Sequence, residues 1–478
     1  MENLKKKALN GIIWSLLDKL VNQAGNFALL VYLSKILSPS DFGLIAMLTI
    51  FLAVAQSLTD SGFSQALIQK SKNANEDDFS TVFYVNLTVS ILLYFLLYIS
   101  APSIAYFYQQ PELIDLSRIL FLVVVINSIA LVPRSKLLIS IDFRTQSLIN
   151  SVSMIVSAVV AVFMVQDGFG YWSLVGMNLI KSLVNSTLLL IVSKWYPKKV
   201  FSIKSFRSLF SFGSKLLVAG IIATAVQNLY SVLIGRYFNA TQVGYFQQGF
   251  NYTNIISSTL SSVVQGVTYP LMTSIQEDEK RLVEVYIKVM GVVTLLTFPI
   301  FVGFVAVAEE FVLIFLGDKW VSIIPILIIL SLARSLTPIS SLNLNILNAR
   351  GRSELFLKAD LMKLPISIIA LLVAVPYGIF AVAVSQLFFT IISFFINTYY
   401  PGKLFGFGAK EQVKLISPIL IISLVMYFSI AFIKFDSLEV QMLTKIVVGF
   451  IVYIVLCWGF KVTAFTNVIN MILRFLKK

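Results

Sequence analysis

The 478-residue chain lacks histidine, has a single cysteine and is poor in charged residues. The absence of histidine excludes a histidine-ligated metal site, an imidazole base and a histidine proton relay. One cysteine, Cys457, cannot form an intrachain disulfide. Charged residues make up 13% of the chain, about half of the share that a globular surface needs, while 58% of the residues are hydrophobic. The sequence therefore predicts an integral membrane protein without a bound metal or cofactor.

The hydrophobic residues occur in long stretches that are separated by short polar segments. Each stretch has roughly 20 residues, which at a helical rise of about 1.5 Å per residue crosses about 30 Å of hydrocarbon. Spans of this length are helices, because the strands of a membrane barrel are about half as long. We predict an all-α polytopic membrane protein with about fourteen transmembrane helices.

The net charge of +14 is distributed over alternate loops. One set of loops is basic, for example at Lys198 and Lys199, while the intervening loops carry acids such as Glu309 and Glu310. Basic residues mark the cytoplasmic loops of a membrane protein. We therefore predict that both termini are cytoplasmic, and that the positive charge indicates topology and not a nucleic-acid partner.

The sequence repeats itself after about two hundred residues, as parallel transporter repeats do. Residues 32–43 resemble residues 234–244, with Gly43 aligned to Gly244, 201 residues further on. Because each copy holds an even number of predicted spans, both copies enter the membrane from the same side. The predicted organisation is an N-lobe over residues 1–200 with spans 1–6, a C-lobe over residues 201–403 with spans 7–12, and two extra helices with a basic tail over residues 404–478.

Charged side chains inside predicted spans are candidates for function, because placing them in hydrocarbon costs a few kcal/mol. Arg334 lies near the middle of the tenth span, close to Pro338. A guanidinium is always ionised and forms paired hydrogen bonds to phosphate or carboxylate, so Arg334 is the strongest candidate for an anion site. Its alternative role is a pair with an acid or carbonyl groups inside the bundle. Lys181 in the sixth span shares one helical face with Asn178 and Asn185, which predicts a second cavity cation.

Polar side chains also occur within the first and the seventh predicted spans. We predict that the two helices face each other across a cavity, where amide groups would bind sugar hydroxyls. Polar packing between helices is the alternative. The candidate residues are Asn22, Gln23, Asn26, Gln227 and Asn228.

Three further cations and two acids lie in or beside the spans. Arg134, Lys136 and Lys215 are close to predicted cytoplasmic helix ends, where they form a basic vestibule for anionic head groups or extend to the membrane interface. Asp60 in the second span is a candidate for proton or sodium coupling, or it caps a broken helix. Asp18 in the first span is a second candidate for coupling and could instead neutralise a nearby cation.

Five short segments carry a resemblance to a known family. They are residues 33–43, 62–70, 142–144, 168–175 and 316–320. In this order, and within a duplicated helical frame, they resemble the polysaccharide transporter branch of the multidrug, oligosaccharidyl-lipid and polysaccharide exporter superfamily, with its O-antigen and teichuronic acid type flippases. Lys35 stands where that pattern usually has arginine, which keeps the charge.

The resemblance implies two six-helix lobes that form a V around a central cavity and give alternating access by rocking. It implies a substrate made of an oligosaccharide repeat unit on an isoprenoid pyrophosphate of the undecaprenyl type, for O-antigen, capsule, teichuronic acid or exopolysaccharide. The unit would cross from the cytoplasmic to the outer leaflet of the bacterial inner membrane, and a proton or sodium gradient could drive the cycle. The implied partners are membrane lipid and the polysaccharide polymerase machinery, and a monomer suffices because one chain supplies both cavity walls.

Two other transport functions and an enzymatic function are alternatives. A multidrug exporter of the same superfamily extrudes organic cations and should place acids in its cavity, whereas the candidates here are bases. A flippase for the peptidoglycan precursor matches the residues of the first span poorly. A membrane enzyme, such as a polymerase or glycosyltransferase, would need a large external loop and a nucleophile, metal or base constellation. The sequence contains neither, so we predict a transporter and not an enzyme.

Overall fold

The computed structural model describes the backbone of residues 2–60, 62–70 and 74–476. It describes the side chains of residues 19–60, 62–70, 74–211, 213, 214, 217, 221, 224, 230–266, 268–352 and 354–470. Every regular element in these ranges is a helix, which confirms the all-α prediction. Packing divides the chain into two compact units, with the division between Gln247 and Gln248.

Unit 1, up to Gln247, contains all of the candidate residues named above except Arg334. Its helices are α1 (Glu2–Ile36), α2 (Pro39–Asp60), α3 (Phe63–Gln69), α4 (Glu76–Tyr108), α5 (Leu113–Leu120), α6 (Leu122–Ile139), α7 (Phe143–Gln166), α8 (Trp172–Ser193), α9 (Ile203–Tyr237) and the start of α10 (Ala240–Ser274). Within this unit α7 packs against α1 and α8, and α8 also packs against α6. These four helices surround the polar cavity described below.

The second predicted span is broken at the candidate Asp60. The α2 helix ends at this residue, Gly62 adopts a left-handed conformation with φ of 67°, and α3 begins at Phe63. Because a left-handed φ costs a side chain about 1 kcal/mol or more, glycine is favoured at this break. The break leaves the Asp60 carboxylate free to cap the following helix.

The repeated glycines Gly43 and Gly244 lie where the first turns of α2 and α10 cross within unit 1. A Cβ atom at Gly43 would lie 1.8 Å from the carbonyl oxygen of Ala240, and one at Gly244 would lie 1.8 Å from the carbonyl oxygen of Pro39. Pro39 and Ala240 are also 201 residues apart, so the two copies of the motif make the same contact with each other. The backbones approach closely enough for Cα–H···O contacts, and a methyl group at either glycine would prevent this.

Unit 2 begins at Gln248 and contains the remainder of α10. Its other helices are α11 (Glu279–Ala306), α12 (Ala308–Phe311), α13 (Ile324–Ser335), α14 (Thr337–Ala349), α15 (Ser353–Ala374), α16 (Ile379–Phe405), α17 (Ala409–Ala431), α18 (Leu438–Gly459) and α19 (Thr463–Leu476). A π-helical turn (Val312–Leu316) and a 3-10 helix (Asp318–Ile323) join α12 to α13, and a 3-10 turn (Val375–Tyr377) joins α15 to α16. The tenth predicted span is thus interrupted at Leu336, one residue after α13 ends.

The core of unit 2 lies where α11, α14 and α17 meet. Tyr286, Asn343 and Gln412 are fully buried there, and their side chains form hydrogen bonds with one another, which satisfies polar groups inside an apolar core. Beyond the other end of α11, Lys445 of α18 forms a buried ion pair with Glu310 of α12. The helices α17 and α18 correspond to the two predicted C-terminal spans outside the repeat. Both pack against α11 within unit 2.

Eleven helical stretches among the described residues are long and apolar enough to cross a membrane. The predicted set of about fourteen spans also includes α1, α9 and α10. These three helices are 35 residues long and richer in polar residues. The exact number of spans stays a prediction. The lobe boundaries at residues 200 and 403 also stay a prediction, because they rest on the sequence repeat. By packing, α9 contacts α2, α3 and α4 and belongs to unit 1.

Candidate functional site

A polar cavity of about 380 Å³ lies within unit 1 between α1, α6, α7 and α8. Among the residues that the structure describes, the cavity is lined by three cations and six carboxamides, together with Ser182, and by no acidic residue. The lining residues are Lys19, Asn22, Gln23 and Asn26 from α1, Asn127 and Arg134 from α6, Asn150 from α7, and Lys181, Ser182 and Asn185 from α8. The excess of positive charge in this described lining makes the cavity suitable for an anion with many hydroxyl groups.

Two of these carboxamides connect the cavity walls. Arg134 donates from Nη2 to Oδ1 of Asn185 at 3.0 Å, and Asn185 donates from Nδ2 to Oδ1 of Asn150 at 3.0 Å. The chain of hydrogen bonds runs from α6 through α8 to α7 and fixes the direction of the guanidinium. Lys181 forms no hydrogen bond or ion pair with the residues that the structure describes, so its ammonium group is available to a ligand.

The structure brings together most of the candidates from the first and sixth predicted spans. Asn22, Gln23 and Asn26 line the cavity, as do Lys181 and Asn185. Asn178 is not among the lining residues, because its side chain donates from Nδ2 to the carbonyl oxygen of Leu174 in the preceding turn, at 2.8 Å. The side chains of Asp18, Lys215, Gln227 and Asn228 lie outside the described residues.

The two vestibule candidates on α6 have different surroundings. Arg134 lines the cavity, whereas Lys136 forms an ion pair with Glu76 at 2.8 Å. The Lys136 ammonium also lies 4.6 Å from the ring centre of Phe79 and 5.2 Å from that of Trp195. Its charge is therefore engaged within the protein, whereas Arg134 presents its cation to the cavity.

Asp60 lies at the α2 break and interacts with Arg134. Its carboxylate accepts a hydrogen bond from the backbone N–H of Ser64 in α3 and is close enough to Arg134 for an electrostatic interaction. The other oxygen, Oδ1, is buried and has no hydrogen-bond partner among the described residues. Asp60 therefore caps a helix, as one sequence interpretation predicts, and still offers an unpaired carboxylate oxygen.

Arg334 lies in unit 2, in the last turn of α13, immediately before the break at Leu336. Its guanidinium carbon is 4.2 Å from the ring centre of Phe250 in α10. The Nε atom is buried, and the side chain has no acidic partner or hydrogen bond among the residues that the structure describes. A cation held by an aromatic face and not neutralised by an acid keeps its capacity to bind an anion.

Sequence reasoning missed several lining residues. Asn127 lies seven positions before Arg134 on α6, so its place on the same helical face could have been found from the spacing. Asn150 on α7 and Ser182 beside Lys181 gave no comparable signal, because a helix face does not reveal which neighbour it meets. No group of histidine, cysteine, aspartate or glutamate suited to a metal ion occurs in the part of the chain that the structure describes.

Comparisons with known proteins agree with the resemblance noted in the sequence. Residues 32–325 match the family described as polysaccharide biosynthesis protein. The chain is 28% identical over 362 residues to the teichuronic acid biosynthesis protein TuaB of Bacillus subtilis (strain 168), covering 74% of each chain. It is 23% identical over 405 residues to the lipopolysaccharide biosynthesis protein WzxC of Escherichia coli (strain K12), covering 82% of this chain and 81% of WzxC.

A solved structure of the lipid II flippase MurJ, in an inward closed conformation, shares the fold. It superposes with a TM-score of 0.79 and covers 95% of this chain and 98% of its own, at 18% sequence identity. At this identity the likeness establishes the fold alone. The chain is thus a multi-pass membrane protein with a MurJ-like helical fold, and, because the family match extends over more than half of its length, it belongs to the family of polysaccharide biosynthesis proteins.

Proposed function

We propose that the protein is a flippase for an oligosaccharide repeat unit linked to an isoprenoid pyrophosphate of the undecaprenyl type. It moves this unit from the cytoplasmic to the outer leaflet of the bacterial inner membrane by alternating access. The observation that carries the proposal is the cavity of unit 1, whose described lining residues include three cations, six carboxamides and no acid. The names of TuaB and WzxC, which refer to teichuronic acid and lipopolysaccharide biosynthesis, support a polysaccharide precursor as the substrate class.

The cavity offers separate groups for the two polar parts of this substrate. Lys19, Arg134 and Lys181 attract a pyrophosphate or an acidic sugar, and one cation at 4 Å from an anionic charge contributes up to about 4 kcal/mol at an effective dielectric constant of 20. The carboxamides donate and accept hydrogen bonds, which matches sugar hydroxyls without demanding one stereochemistry. The isoprenoid tail needs no polar site and stays in lipid.

Arg334 and Asp60 have proposed roles outside the lining of the cavity. Arg334 is a second anion site in unit 2, because its buried guanidinium has an aromatic neighbour and no acidic partner among the described residues. Asp60 is the proposed site for proton or sodium coupling, through the carboxylate oxygen that has no hydrogen bond. The predicted roles of Asp18, Lys215, Gln227 and Asn228 are retained as part of the proposal.

The charge of the cavity favours this function over drug export. An exporter of organic cations needs acids in its cavity, and the part of the lining that the structure describes contains none. The likeness to MurJ concerns the fold, so the choice of a polysaccharide unit over a peptidoglycan precursor rests on the family and on the names of the relatives. We further propose that a monomer is sufficient, that both termini are cytoplasmic and that the unit passes to polysaccharide polymerase machinery.

A complementation experiment tests the proposal in cells. In a strain that lacks the gene, surface polysaccharide and the lipid-linked repeat unit on the inner leaflet are measured after rescue with wild type, Lys181→Ala, Arg334→Ala or Lys358→Ala. Lys358 is an exposed lysine of α15 and serves as the matched control. We expect wild type and the control to restore surface polysaccharide, and the other two variants, expressed at normal levels, to leave the repeat unit on the inner leaflet. Unchanged polysaccharide in the strain without the gene would contradict the flippase function.

A further inference from the structure

The segment that joins α8 to α9 carries a basic and apolar surface that the proposed function does not use. It comprises residues 194–202, and the surface continues over the first two turns of α9 to residue 210. We call residues 194–210 the linker surface. Its five cations are exposed, and none forms an ion pair with the residues that the structure describes: they are Lys194, Lys198, Lys199, Lys204 and Arg207.

Apolar side chains are exposed between these cations. The exposed fractions of Tyr196, Phe201 and Ile203 are 71%, 55% and 63%. On α9, Ile203, Arg207 and Phe210 follow at spacings of four and three residues, so basic and apolar groups share one helical face. Surfaces in water carry large apolar residues singly, whereas cations interleaved with aromatic and aliphatic groups suit the boundary between lipid head groups and acyl chains.

The first two turns of α4 hold the linker surface in a fixed conformation. The Trp195 indole is 6% exposed and donates from Nε1 to Oε2 of Glu76 at 2.7 Å. Glu76 also forms an ion pair with Lys136, so the linker and α6 are held by the same carboxylate. Two backbone N–H groups of the linker donate to hydroxyl groups of α4 at 3.0 Å, Lys198 to Ser80 and Ser202 to Thr81. The cations on either side of Trp195 are therefore presented by an ordered backbone, which lowers the entropy that a ligand must remove on binding.

We propose that the linker surface binds the head groups of anionic phospholipids in the leaflet that the loop charges predict to be cytoplasmic. Each cation near an anionic membrane surface strengthens binding about fivefold. The exposed apolar side chains enter the region just below the lipid phosphates. A free anion in water has no acyl chains for these side chains to contact, so the surface suits a lipid better than a free anion. This site concerns the lipid of the membrane, so it goes beyond the proposed function and does not depend on which substrate is transported.

Native mass spectrometry of the purified full-length protein tests this site. The protein is exchanged into micelles that contain equal amounts of phosphatidylglycerol and phosphatidylethanolamine with the same acyl chains, and the retained lipids are counted. The test variant carries Lys194→Gln, Lys198→Gln, Lys199→Gln and Lys204→Gln. The matched control carries the same change at four exposed lysines of unit 2, Lys280, Lys358, Lys403 and Lys410.

We expect wild type and control to retain phosphatidylglycerol in preference to phosphatidylethanolamine, and the test variant to lose at least fivefold in affinity for phosphatidylglycerol. An equal loss in test and control variants would overturn the proposal, because net charge alone would then explain retention. Displacement of the lipid by millimolar inorganic phosphate would also overturn it, since the site would then recognise a free anion. A measurement on wild type alone adds a second test: phosphatidylglycerol with a photoreactive head group should crosslink to peptides within residues 194–210, and crosslinking only elsewhere would contradict the site.

Discussion

Replacing Arg334 by methionine separates a functional cation from a structural one. The change removes a guanidinium whose buried Nε has no hydrogen bond among the described residues, and it also removes the contact with the Phe250 ring at 4.2 Å. An unpaired buried polar atom costs about 1–3 kcal/mol, whereas a cation–π contact contributes about 0.5–2 kcal/mol. The net effect of Arg334→Met on the free energy of unfolding should therefore lie between a decrease of about 1 kcal/mol and an increase of about 2.5 kcal/mol.

Lys445 is the matched control, because it is a second buried cation of unit 2 but has an acidic partner. The side chains of Lys445 and Glu310 are only 8% and 1% exposed. Lys445→Met leaves the Glu310 carboxylate buried without its counter-charge, which should lower the free energy of unfolding by about 3–5 kcal/mol. The same replacement at the two cations should thus differ by about 2 kcal/mol or more.

The assay is thermal unfolding of the purified full-length variants in one detergent, together with rescue of surface polysaccharide in the strain without the gene. We expect Arg334→Met to unfold close to the wild-type temperature yet to fail in rescue, and Lys445→Met to unfold at a clearly lower temperature. If Arg334→Met lowered the unfolding temperature as much as Lys445→Met, Arg334 would stabilise the bundle and its assignment as an anion site would be wrong.

Three further predictions use other parts of the structure. Gly43→Ala should lower the free energy of unfolding by about 1–3 kcal/mol, because the added methyl group would overlap the carbonyl oxygen of Ala240. As a control, Gly303→Ala adds a methyl group in ordinary contact with its neighbour and should be neutral or stabilising by up to about 1 kcal/mol. Equal unfolding temperatures of the two variants would refute this prediction. Lys181→Glu should reduce transport more than tenfold, because it reverses the sign of a charge in the cavity. Lys358→Glu changes the net charge by the same amount and should not reduce transport. Incorporation of labelled sugar into surface polysaccharide measures the difference. Asp60→Asn keeps an acceptor for the Ser64 N–H and should make transport in proteoliposomes insensitive to imposed proton or sodium gradients; an unchanged response would exclude Asp60 from coupling.

The helical architecture could be predicted from the sequence because length and apolarity determine which segments cross a bilayer. Helical spacing also identified a shared polar face at Lys181 and Asn185, and both residues line the cavity. The break after Asp60 could be anticipated, since glycine at position 62 permits a left-handed turn. Each of these features depends on residues that are near one another in the chain.

Features that depend on packing between distant segments could not be predicted. Lys136 and Arg134 looked equivalent in the sequence, yet Glu76, 60 residues earlier, neutralises Lys136 alone. The lack of an acidic partner for Arg334 among the described residues likewise depends on which helices surround α13. The glycine motif was visible as a repeat at Gly43 and Gly244, but nothing in a linear pattern indicates that its two copies touch each other.

Translocation by the isolated protein is the most direct test of the flippase function. The purified protein is reconstituted into liposomes with a fluorescently labelled oligosaccharide on undecaprenyl pyrophosphate, and a membrane-impermeant reductant quenches the label in the outer leaflet, with and without imposed proton and sodium gradients. We expect quenching to exceed the half expected for protein-free liposomes, and Lys181→Glu to reduce the excess while Lys358→Glu does not. Quenching equal to that of protein-free liposomes under every gradient would contradict the proposed flippase function.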